Sequence, residues 1–340
     1  MMRRILYSPS SRWKYRNSNE FKTESRKYLL HRRKFLRLSA LAPFAMGMGL
    51  SLSETLLSKV INETADGIYK FTVGDLECIA ISDGITHYGA HVMFTNAPDD
   101  ELRNKMTKYD LDPEAMPSSY TCLAVRSGGE WTLIDTGIGP IDPNLGKLLP
   151  RLSEAGIKPE DISTVIITHA HPDHIGGNTD DQGNVNFPNA QFIMWKDDWD
   201  FWTDETQLAK LPDVFGDFTR KNLPPIKGQL ELLEKETEVH TGIYAIPAQG
   251  HTPGHMIIGL SSGGEQMLVI GDAMLHQINI AKPGWYSQFD IDPERAVQTR
   301  KKILERSEAE GAPLQCFHFY PFPGLGNVEK YNDAWRWEPI

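Results

Sequence analysis

The sequence Thr168-His169-Ala170-His171-Pro172-Asp173-His174-Ile175-Gly176-Gly177 follows a short apolar stretch, 165–167, that predicts a buried β-strand. The two histidines of His-x-His point the same way on an extended segment, because strand side chains alternate between faces. Asp173 and His174 follow where the chain turns into a helix, so they can bind a second metal nearby. A lone histidine is more often an ordinary core or surface residue. The run predicts a metal site, because four metal-binding side chains fall within six residues: His169, His171, Asp173 and His174.

Three later segments each add a metal-binding side chain at the end of a predicted strand. His251 lies in Gly250-His251-Thr252-Pro253-Gly254-His255 after a strand at 243–247, Asp272 closes a strand at 267–270, and His318 follows one at 315–317. Taken alone, each has an ordinary interpretation as a turn residue, a strand-ending aspartate or a buried histidine. Sites in α/β proteins usually assemble at the carboxyl ends of strands. We therefore predict that these residues join the first run.

The hydrophobic pattern outside these motifs predicts an α/β fold. Strands fall in two batches with helices between them, which favours two sheets packed face to face with helices outside. For 85–118 we predict a long loop with one helix at most. The other predicted strands lie at 69–73, 76–83, 120–126, 131–134, 190–195 and 256–260. The predicted helices lie at 145–155 and 293–311, with a helical, aromatic-rich stretch from 196 to about 233.

Charge is distributed unevenly along the chain. The 340 residues carry a formal net charge of −10, yet residues 1–37 hold 12 lysines and arginines against 2 acidic residues. The rest of the chain then holds 23 basic and 43 acidic residues. An acidic body lacks the basic patch on which nucleic-acid binding depends, so we expect no nucleic-acid partner. The 3 cysteines show no CxxC spacing and are expected to be small buried side chains, with no disulfide framework.

The basic N-terminal segment predicts export. His31-Arg32-Arg33-Lys34-Phe35-Leu36-Arg37 is a twin-arginine pattern, and an uncharged run follows at 38–53. We therefore expect a leader at 1–55, a catalytic domain at 65–340, and a periplasmic or otherwise exported protein. The alternative is a basic amphipathic start with coincidental arginines, and a start downstream of Met1 stays open. The uncharged run is shorter than the about 20 apolar residues that a bilayer requires, so we expect no stable membrane span.

In this chain order the motifs resemble the metallo-β-lactamase superfamily of dinuclear hydrolases, and within it the branch of methyl parathion hydrolase and related lactonases. The resemblance covers roughly residues 70–340 and implies the four-layer αβ/βα sandwich of that fold. The H-x-H-x-D-H run marks the superfamily, and P-F-P-G-x-G at 321–326 marks the branch. The other segments that carry it are Gly74-Asp75-Leu76-Glu77, Ser82-Asp83-Gly84, Leu133-Ile134-Asp135-Thr136-Gly137, Gly271-Asp272 and Trp335-Arg336-Trp337-Glu338-Pro339.

The resemblance implies a role for each candidate ligand. Asp272 would bridge two metals, and both Asp173 and Asp272 would be catalytic. His318 departs from the branch pattern, because it lies three positions before Pro321 and not two, but it is the only histidine there. One metal would be bound by His169, His171 and His251, and the other by Asp173, His174 and His318.

Four other residues are expected to act without binding a metal. By the resemblance, Asp135 would orient the site, and His255 would be a supporting or structural residue beside the ligands. Trp202 and Leu275 would line an apolar substrate cleft. The aromatic stretch around Trp202 is equally well interpreted as core packing. The expected partner is a small molecule, and a homodimer stays open.

The ligand types point to hydrolysis. Imidazole and carboxylate ligands suit Zn(II), although Mn, Fe or Co would also be accepted. Zinc lowers the pKa of bound water from about 15.7 to about 7. We therefore expect two divalent ions, and a metal-bound hydroxide that attacks a neutral lactone, carboxylic ester or phosphotriester. Asp173 would carry a proton to the departing group.

Three alternative functions fit these residues less well than metal-dependent hydrolysis of a lactone, ester or phosphotriester. A β-lactam hydrolase of this fold normally lacks the bridging aspartate or has cysteine at the second metal, so Asp272 and His318 disfavour it. Glyoxalase II-like thioesterases place the first motif near the N-terminus and append a helical domain, which this sequence does not match. A mononuclear iron dioxygenase or a metal-free binding module is the alternative from another class. The complete ligand set disfavours the binding module. Identifying and counting the bound metals would distinguish a mononuclear iron dioxygenase from a dinuclear hydrolase.

Overall fold

Two β-sheets form the centre of the computed structural model, which describes residues 64–65 and 67–340. The leader expected at 1–55, with its twin arginine, lies outside the described residues. The expected boundaries of the catalytic domain, 65–340, therefore stay a prediction.

The first sheet keeps its strands in chain order, with antiparallel pairs first and parallel pairs last. Its strands are β1 (Thr64–Ala65), β2 (Ile68–Val73), β3 (Leu76–Tyr88), β4 (Met116–Ser127), β5 (Glu130–Ile134), β6 (Ile162–Ile166), β7 (Gln191–Trp195) and β8 (Leu230–Leu233). Pairing is parallel from β5 to β8. Parallel strands are covered on both faces, which explains why β6 and β7 are short runs of mostly buried residues.

The second sheet has the order β15-β14-β13-β12-β11-β10-β9. Its strands are β9 (Thr237–His240), β10 (Ile243–Pro247), β11 (Met256–Ser262), β12 (Glu265–Val269), β13 (Leu314–Gln315), β14 (Leu325–Tyr331) and β15 (Ala334–Pro339). Only β12 and β13 pair in parallel among these strands. A parallel pair needs a long crossover, and a helix at Pro293–Glu310 lies within it.

Helices cover the outer faces of both sheets. An apolar layer between the sheets draws on both of them, as with Leu123 and Ile166 from the first and Ile258 and Val269 from the second. The predicted four-layer α/β sandwich is therefore confirmed. The helices are α1 (Ala90–Met93), α2 (Asp99–Tyr109), α3 (Leu148–Glu154), α4 (Pro172–Ile175), α5 (Lys196–Thr203), α6 (Glu205–Leu208), α7 (Asp213–Asn222), α8 (Ile278–Ala281) and α9 (Pro293–Glu310).

The long loop predicted at 85–118 is wrong. The segment holds the end of β3, helices α1 and α2, and the start of β4. The pairing of β3 with β4 shifts register between Ser82 and Gly84, so β3 continues past a glycine that resembles a strand end in the sequence. Gly84 has φ 138°, a backbone conformation that glycine tolerates best.

Several other boundaries also differ from the prediction. The helix at 145–155 is shorter, Leu148–Glu154, and the stretch at 196–233 ends in strand β8 after three helices. The strand predicted at 315–317 is Leu314–Gln315, so the chain leaves the sheet before His318. Strands β1, β9, β14 and β15 were not predicted. None of the helices in the described part of the chain has the length and apolar character needed to cross a membrane.

Candidate metal centre

The four ligands predicted in one run lie at the carboxyl end of β6. The backbone is still extended at His171 (φ −67°, ψ 154°) and enters α4 at Pro172. Proline suits the first helical position, because its missing N–H would have no partner there in any case. The extended part therefore carries His169 and His171, and the helical turn carries the remaining pair, Asp173 and His174.

The first group of converging side chains contains His169, His171, His251 and Asp272. One potential ligand atom from each lies within 4.8 Å of the others. His171 Nδ1 is 3.0 Å from both His169 Nε2 and His251 Nε2, and Asp272 Oδ2 is 3.3 Å from His251 Nε2. All four side chains are buried. The structure thus brings together the three histidines predicted for one metal, with Asp272 beside them.

The second group contains Asp173, His174, His318 and again Asp272, within the same 4.8 Å limit. His318 Nε2 lies 3.0 Å from Asp272 Oδ2 and 3.4 Å from Asp173 Oδ2. His174 Nε2 lies 3.1 Å from Asp272 Oδ1. His318 therefore joins this group in spite of its unusual distance from Pro321, and Asp272 is common to both groups.

The polar atoms of the two groups fit a pair of divalent cations. His174 Nε2 and Asp272 Oδ1 lie 3.1 Å apart but form no aligned hydrogen bond, so both buried atoms keep their capacity to bind a cation. Burial and neighbouring histidines hold the pKa of His169 and of His171 well below its ordinary value. These imidazoles are therefore neutral, which is the form that binds a metal. The mixture of imidazoles and carboxylates suits zinc and its neighbours among the transition metals.

Asp135 belongs to neither group. Among the described hydrogen bonds, His174 is its only partner in the two groups. Its Oδ2 accepts a hydrogen bond from His174 Nδ1 at 2.8 Å, which leaves Nε2 facing the second group. Its Oδ1 accepts from the backbone N–H of Thr168 at 2.8 Å. Asp135 has φ 61°, an uncommon value for a residue other than glycine, and its own N–H donates to Ile166 O at 2.9 Å. The backbone thus holds this carboxylate where the histidine needs it.

His255 holds the backbone of Asp272 and belongs to neither ligand group. Its Nδ1 donates to Ala248 O at 3.2 Å, and its Nε2 accepts from Asp272 N at 3.1 Å. Burial lowers the pKa of His255 to about 3, so the ring stays neutral and keeps this tautomer. Gly271 is required beside it, because its φ is 49° and a Cβ there would lie 2.9 Å from His255 Nε2.

A carboxylate and a buried arginine support His251, and the sequence analysis missed both. Asp290 Oδ1 accepts from His251 Nδ1 at 2.8 Å. The Arg300 guanidinium lies 3.6 Å from Asp290 Oδ2 and donates from Nε to Ala273 O at 2.8 Å. Arginine is almost never fully buried without such partners. The helical spacing could have revealed the burial of Arg300, because Arg300 shares the buried face of α9 with Ala296, Ile303 and Leu304.

His318 has its own support on β4, in a segment that the sequence analysis assigned to a loop. Ser118 Oγ lies 3.0 Å from His318 Nδ1, so Nε2 is the nitrogen that faces the second group. The Tyr120 ring meets the His318 ring edge-on, with 5.3 Å between centroids. The Tyr120 hydroxyl lies 2.7 Å from the Tyr88 hydroxyl. Two tyrosines and a serine therefore form the wall of the site next to His318.

The two residues expected to line the cleft are both buried. Trp202 is 0% exposed, and its ring lies edge-on to His171 with 5.2 Å between centroids. It also stacks on Phe215 at 5.9 Å. Leu275 is 3% exposed and packs in an apolar cluster with Phe94 and Trp285. Trp202 thus touches a ligand, while contact of either residue with substrate stays a prediction.

The sequence is similar to one family model and to curated lactonases. Residues 116–318 match the family model described as the metallo-beta-lactamase superfamily. The N-acyl homoserine lactonase AttM of Azorhizobium caulinodans is 28% identical over 200 residues, which cover 55% of this chain and 71% of that protein. An N-acyl homoserine lactonase of Bacillus thuringiensis is 26% identical over 175 residues, covering 47% of this chain and 61% of that protein.

Solved structures give the same result over a larger part of the chain. AidC, a dizinc quorum-quenching lactonase in complex with a hydrolysis product, superposes with a TM-score of 0.73 at 27% identity, covering 81% of this chain and 97% of AidC. The hydrolase AbOPH of the beta-lactamase superfamily superposes with a TM-score of 0.75 at 30% identity, covering 82% of this chain and 99% of AbOPH. The chain therefore belongs to the metallo-beta-lactamase superfamily, as one of its metal-dependent hydrolases.

Proposed function

We propose that this hydrolase binds two zinc ions and opens the ring of a neutral, moderately apolar lactone of the N-acyl homoserine lactone class. The observation that carries the proposal is the pair of buried ligand groups that share Asp272. The likeness to AttM, to the Bacillus thuringiensis lactonase and to AidC supports the substrate class. Aryl esters would be further substrates, phosphotriesters weaker ones, and β-lactams poor ones.

The residues of the chain divide the work of binding and positioning. Two divalent cations held here would supply a hydroxide nucleophile at neutral pH and a Lewis acid for the carbonyl oxygen of the substrate. Neutral His169 and His171 present lone pairs to the first group. Asp272, whose backbone His255 fixes, keeps the two groups at a constant separation. This prearrangement matters because a small misplacement of reacting groups is costly in rate.

Asp173 is the residue we assign to proton transfer. It is the most exposed of the seven predicted ligands, at 8%, so it lies nearest to an incoming substrate. Burial raises the pKa of its carboxyl above the ordinary value. A carboxyl oxygen of Asp173 that does not bind a metal can accept the proton of the added hydroxyl group and deliver it to the alkoxide that leaves when the ring opens.

The surroundings of the site favour an uncharged substrate. Tyr88 and Phe289 meet edge-on with 5.6 Å between their ring centroids, and the Tyr88 ring lies 6.3 Å from that of His318. Aromatic rings next to the second group offer apolar contact to an acyl chain. Residues 38–340 hold more acidic than basic residues, and this negative charge would repel anionic substrates.

A substrate panel with metal counting tests the proposal. The purified protein with its native metal is assayed on N-hexanoyl homoserine lactone, a simple γ-lactone, an aryl ester, a phosphotriester and a β-lactam, with elemental analysis of the same sample. We expect two metals per chain, fastest turnover of the lactones, and loss of activity on chelation that added zinc restores. A β-lactam turned over faster than every lactone and ester would contradict the substrate class. One tightly held iron and no second metal would contradict the dinuclear site.

We also propose export by the twin-arginine route, from Arg32-Arg33-Lys34-Phe35-Leu36 and the uncharged run at 38–53. Replacing Arg32 and Arg33 by lysine keeps the charge and removes the pattern. The double variant should accumulate in the cytoplasm while the unaltered protein is found, shortened, in the periplasmic fraction. Unaltered protein that stays uncleaved in the cytoplasm would contradict this proposal.

A further inference from the structure

Asp198 lies next to the first ligand group without belonging to it. It is on α5 and is 1% exposed. Its Oδ2 accepts a hydrogen bond from the backbone N–H of Ala170 at 2.7 Å. Its Oδ1 accepts from Thr252 Oγ1 at 2.5 Å and from the backbone N–H of Gly254 at 3.2 Å. One carboxylate therefore receives three donors from two different segments of the chain.

Those two segments are the ones that carry the three histidines of the first group. Ala170 lies between His169 and His171, and Thr252 follows His251 directly. The approach is close, because a Cβ on Gly254 would lie 2.2 Å from the backbone nitrogen of Asp198. Glycine at this position lets α5 and the His251 segment meet, and any other residue would separate them.

Helix α5 contacts the same segment a second time. Trp202 lies four residues after Asp198, on the same face of the helix, and packs its ring against the ring of His171. The second group has no contact of this kind with α5 among the described hydrogen bonds and ring contacts; Asp135 and Ser118 support it. The two groups are thus held by different carboxylates.

We propose that Asp198 is a positioning residue that joins the two histidine-bearing segments and so controls occupancy of the first metal position only. This inference rests on the proposed dinuclear function. Loss of its three hydrogen bonds lets the His169–His171 segment and the His251 segment separate. The first metal then has three histidines that no longer converge, while Asp173, His174 and His318 keep their arrangement.

The test uses Asp198→Asn in the full-length protein, with metals counted by elemental analysis and stepwise zinc dissociation constants measured by chelator competition. The amide keeps the size of the side chain but places an NH₂ against a donor. We expect one zinc to bind roughly 10- to 100-fold more weakly, the effect typical of losing a supporting partner, and the other to bind as before. Excess zinc should restore the second equivalent.

Double variants identify which position is affected. His318→Ala damages the second group, so adding Asp198→Asn to it should leave no tightly held metal. His251→Ala damages the first group, so adding Asp198→Asn to it should leave the same single metal as His251→Ala alone. Equal weakening of both positions in Asp198→Asn, or two zinc ions bound with unaltered constants, would overturn the inference.

Asp83→Asn is the matched control for a purely structural effect. Asp83 is also a buried carboxylate, and it accepts from the backbone N–H groups of Ile138 and Leu148 at 2.8 Å each, outside the ligand segments. This variant should melt at a lower temperature and still bind two zinc ions. If Asp198→Asn behaves in the same way, its role is structural and the inference is wrong.

A gentler pair of variants covers the case in which Asp198→Asn does not fold. Thr252→Val removes one donor to Asp198, and Thr252→Ser keeps the hydroxyl. We expect weaker binding of one zinc in the valine variant and recovery in the serine variant. Identical zinc binding in both would overturn the inference. If the unaltered protein binds no metal at all, the proposed function itself fails, which is a different result.

Discussion

The two halves of the sandwich contribute to the metal centre in different ways. The N-terminal half supplies four candidate ligands from one segment, 169–174, which follows β6 and enters α4. The C-terminal half supplies single residues that follow three separate strands, β10, β12 and β13, namely His251, Asp272 and His318. Local backbone geometry can arrange the first set, whereas the second set depends on the packing of an entire half. Variants in the C-terminal half should therefore affect stability and metal binding together.

Asp272 is the one candidate ligand that both groups share, so its loss should have the largest effect. Asp272→Asn removes the shared anionic ligand, and we expect kcat/KM for lactone hydrolysis to fall at least about a thousandfold, equivalent to about 4 kcal/mol. Far-UV circular dichroism should change little. His251→Ala and His318→Ala are the comparisons, since each should still leave one metal bound. Two tightly held metals in Asp272→Asn would contradict the shared position.

Arg300 tests how far the C-terminal half depends on its long-range network. Arg300→Met leaves the buried carboxylate of Asp290 without its cation, which should lower the free energy of unfolding by about 3–5 kcal/mol. Zinc affinity should fall as well, because His251 loses a fixed orientation. Urea unfolding and chelator competition measure the two effects. The double variant with Asp290→Asn removes both charges and should recover part of the stability; no recovery would show that charge pairing is not the cause.

Asp135 gives the matching test in the N-terminal half. Asp135→Asn leaves one acceptor oxygen for two donors, the N–H groups of His174 Nδ1 and of the Thr168 backbone, so zinc should bind one position roughly 10- to 100-fold more weakly. The loss of stability should be smaller than for Arg300→Met, because its partners Thr168 and His174 lie within one short segment. A stability loss as large as that of Arg300→Met would remove the distinction between the two halves.

Replacing Trp202 should have the smallest effect on activity. It tests whether this ring lines the substrate cleft. Trp202→Phe keeps a ring next to His171 and leaves no broken hydrogen bond, because Trp202 Nε1 has no partner. Phenylalanine is smaller than tryptophan, so part of an aromatic contact worth about 0.5–1.5 kcal/mol is lost, and KM for aryl substrates should rise by up to about twelvefold if the ring contacts substrate. An unchanged KM together with weaker zinc binding would show that the residue supports His171 and lies outside the cleft.

The contiguous half of the site was predictable from the sequence because its spacing is itself geometric. A His-x-His pair after an apolar strand constrains two imidazoles to one side, and a helix start fixes the next two ligands. Asp272 and His318 were predictable only through chain order and resemblance, since each alone is a common residue type at a strand end. The sandwich followed from strands in two batches with helices between them.

Three supporting residues, Asp198, Arg300 and Ser118, were not predicted, for physical reasons that differ between them. Asp198 begins an ordinary amphipathic helix, and nothing local indicates that its carboxylate reaches two distant segments. Arg300 lies in a helix in which half of the residues are charged, so its burial is visible only through helical spacing. Ser118 lies in a segment rich in turn formers, which the sequence suggested was a loop. In the structure β3 continues past the register shift at Gly84, and its residue Thr86 pairs with Ser118 on β4.

The spread of ligands over both sheets also bears on how the protein acquires its metal. Neither sheet alone holds a complete group, because Asp272 from the second sheet completes both. A chain that is still folding therefore offers no finished binding site, and capture of the ions follows closure of the sandwich. Similar imidazole and carboxylate sites accept several divalent metals, so availability decides among them. We therefore expect the metal content of the protein to record which metals were present where folding was completed.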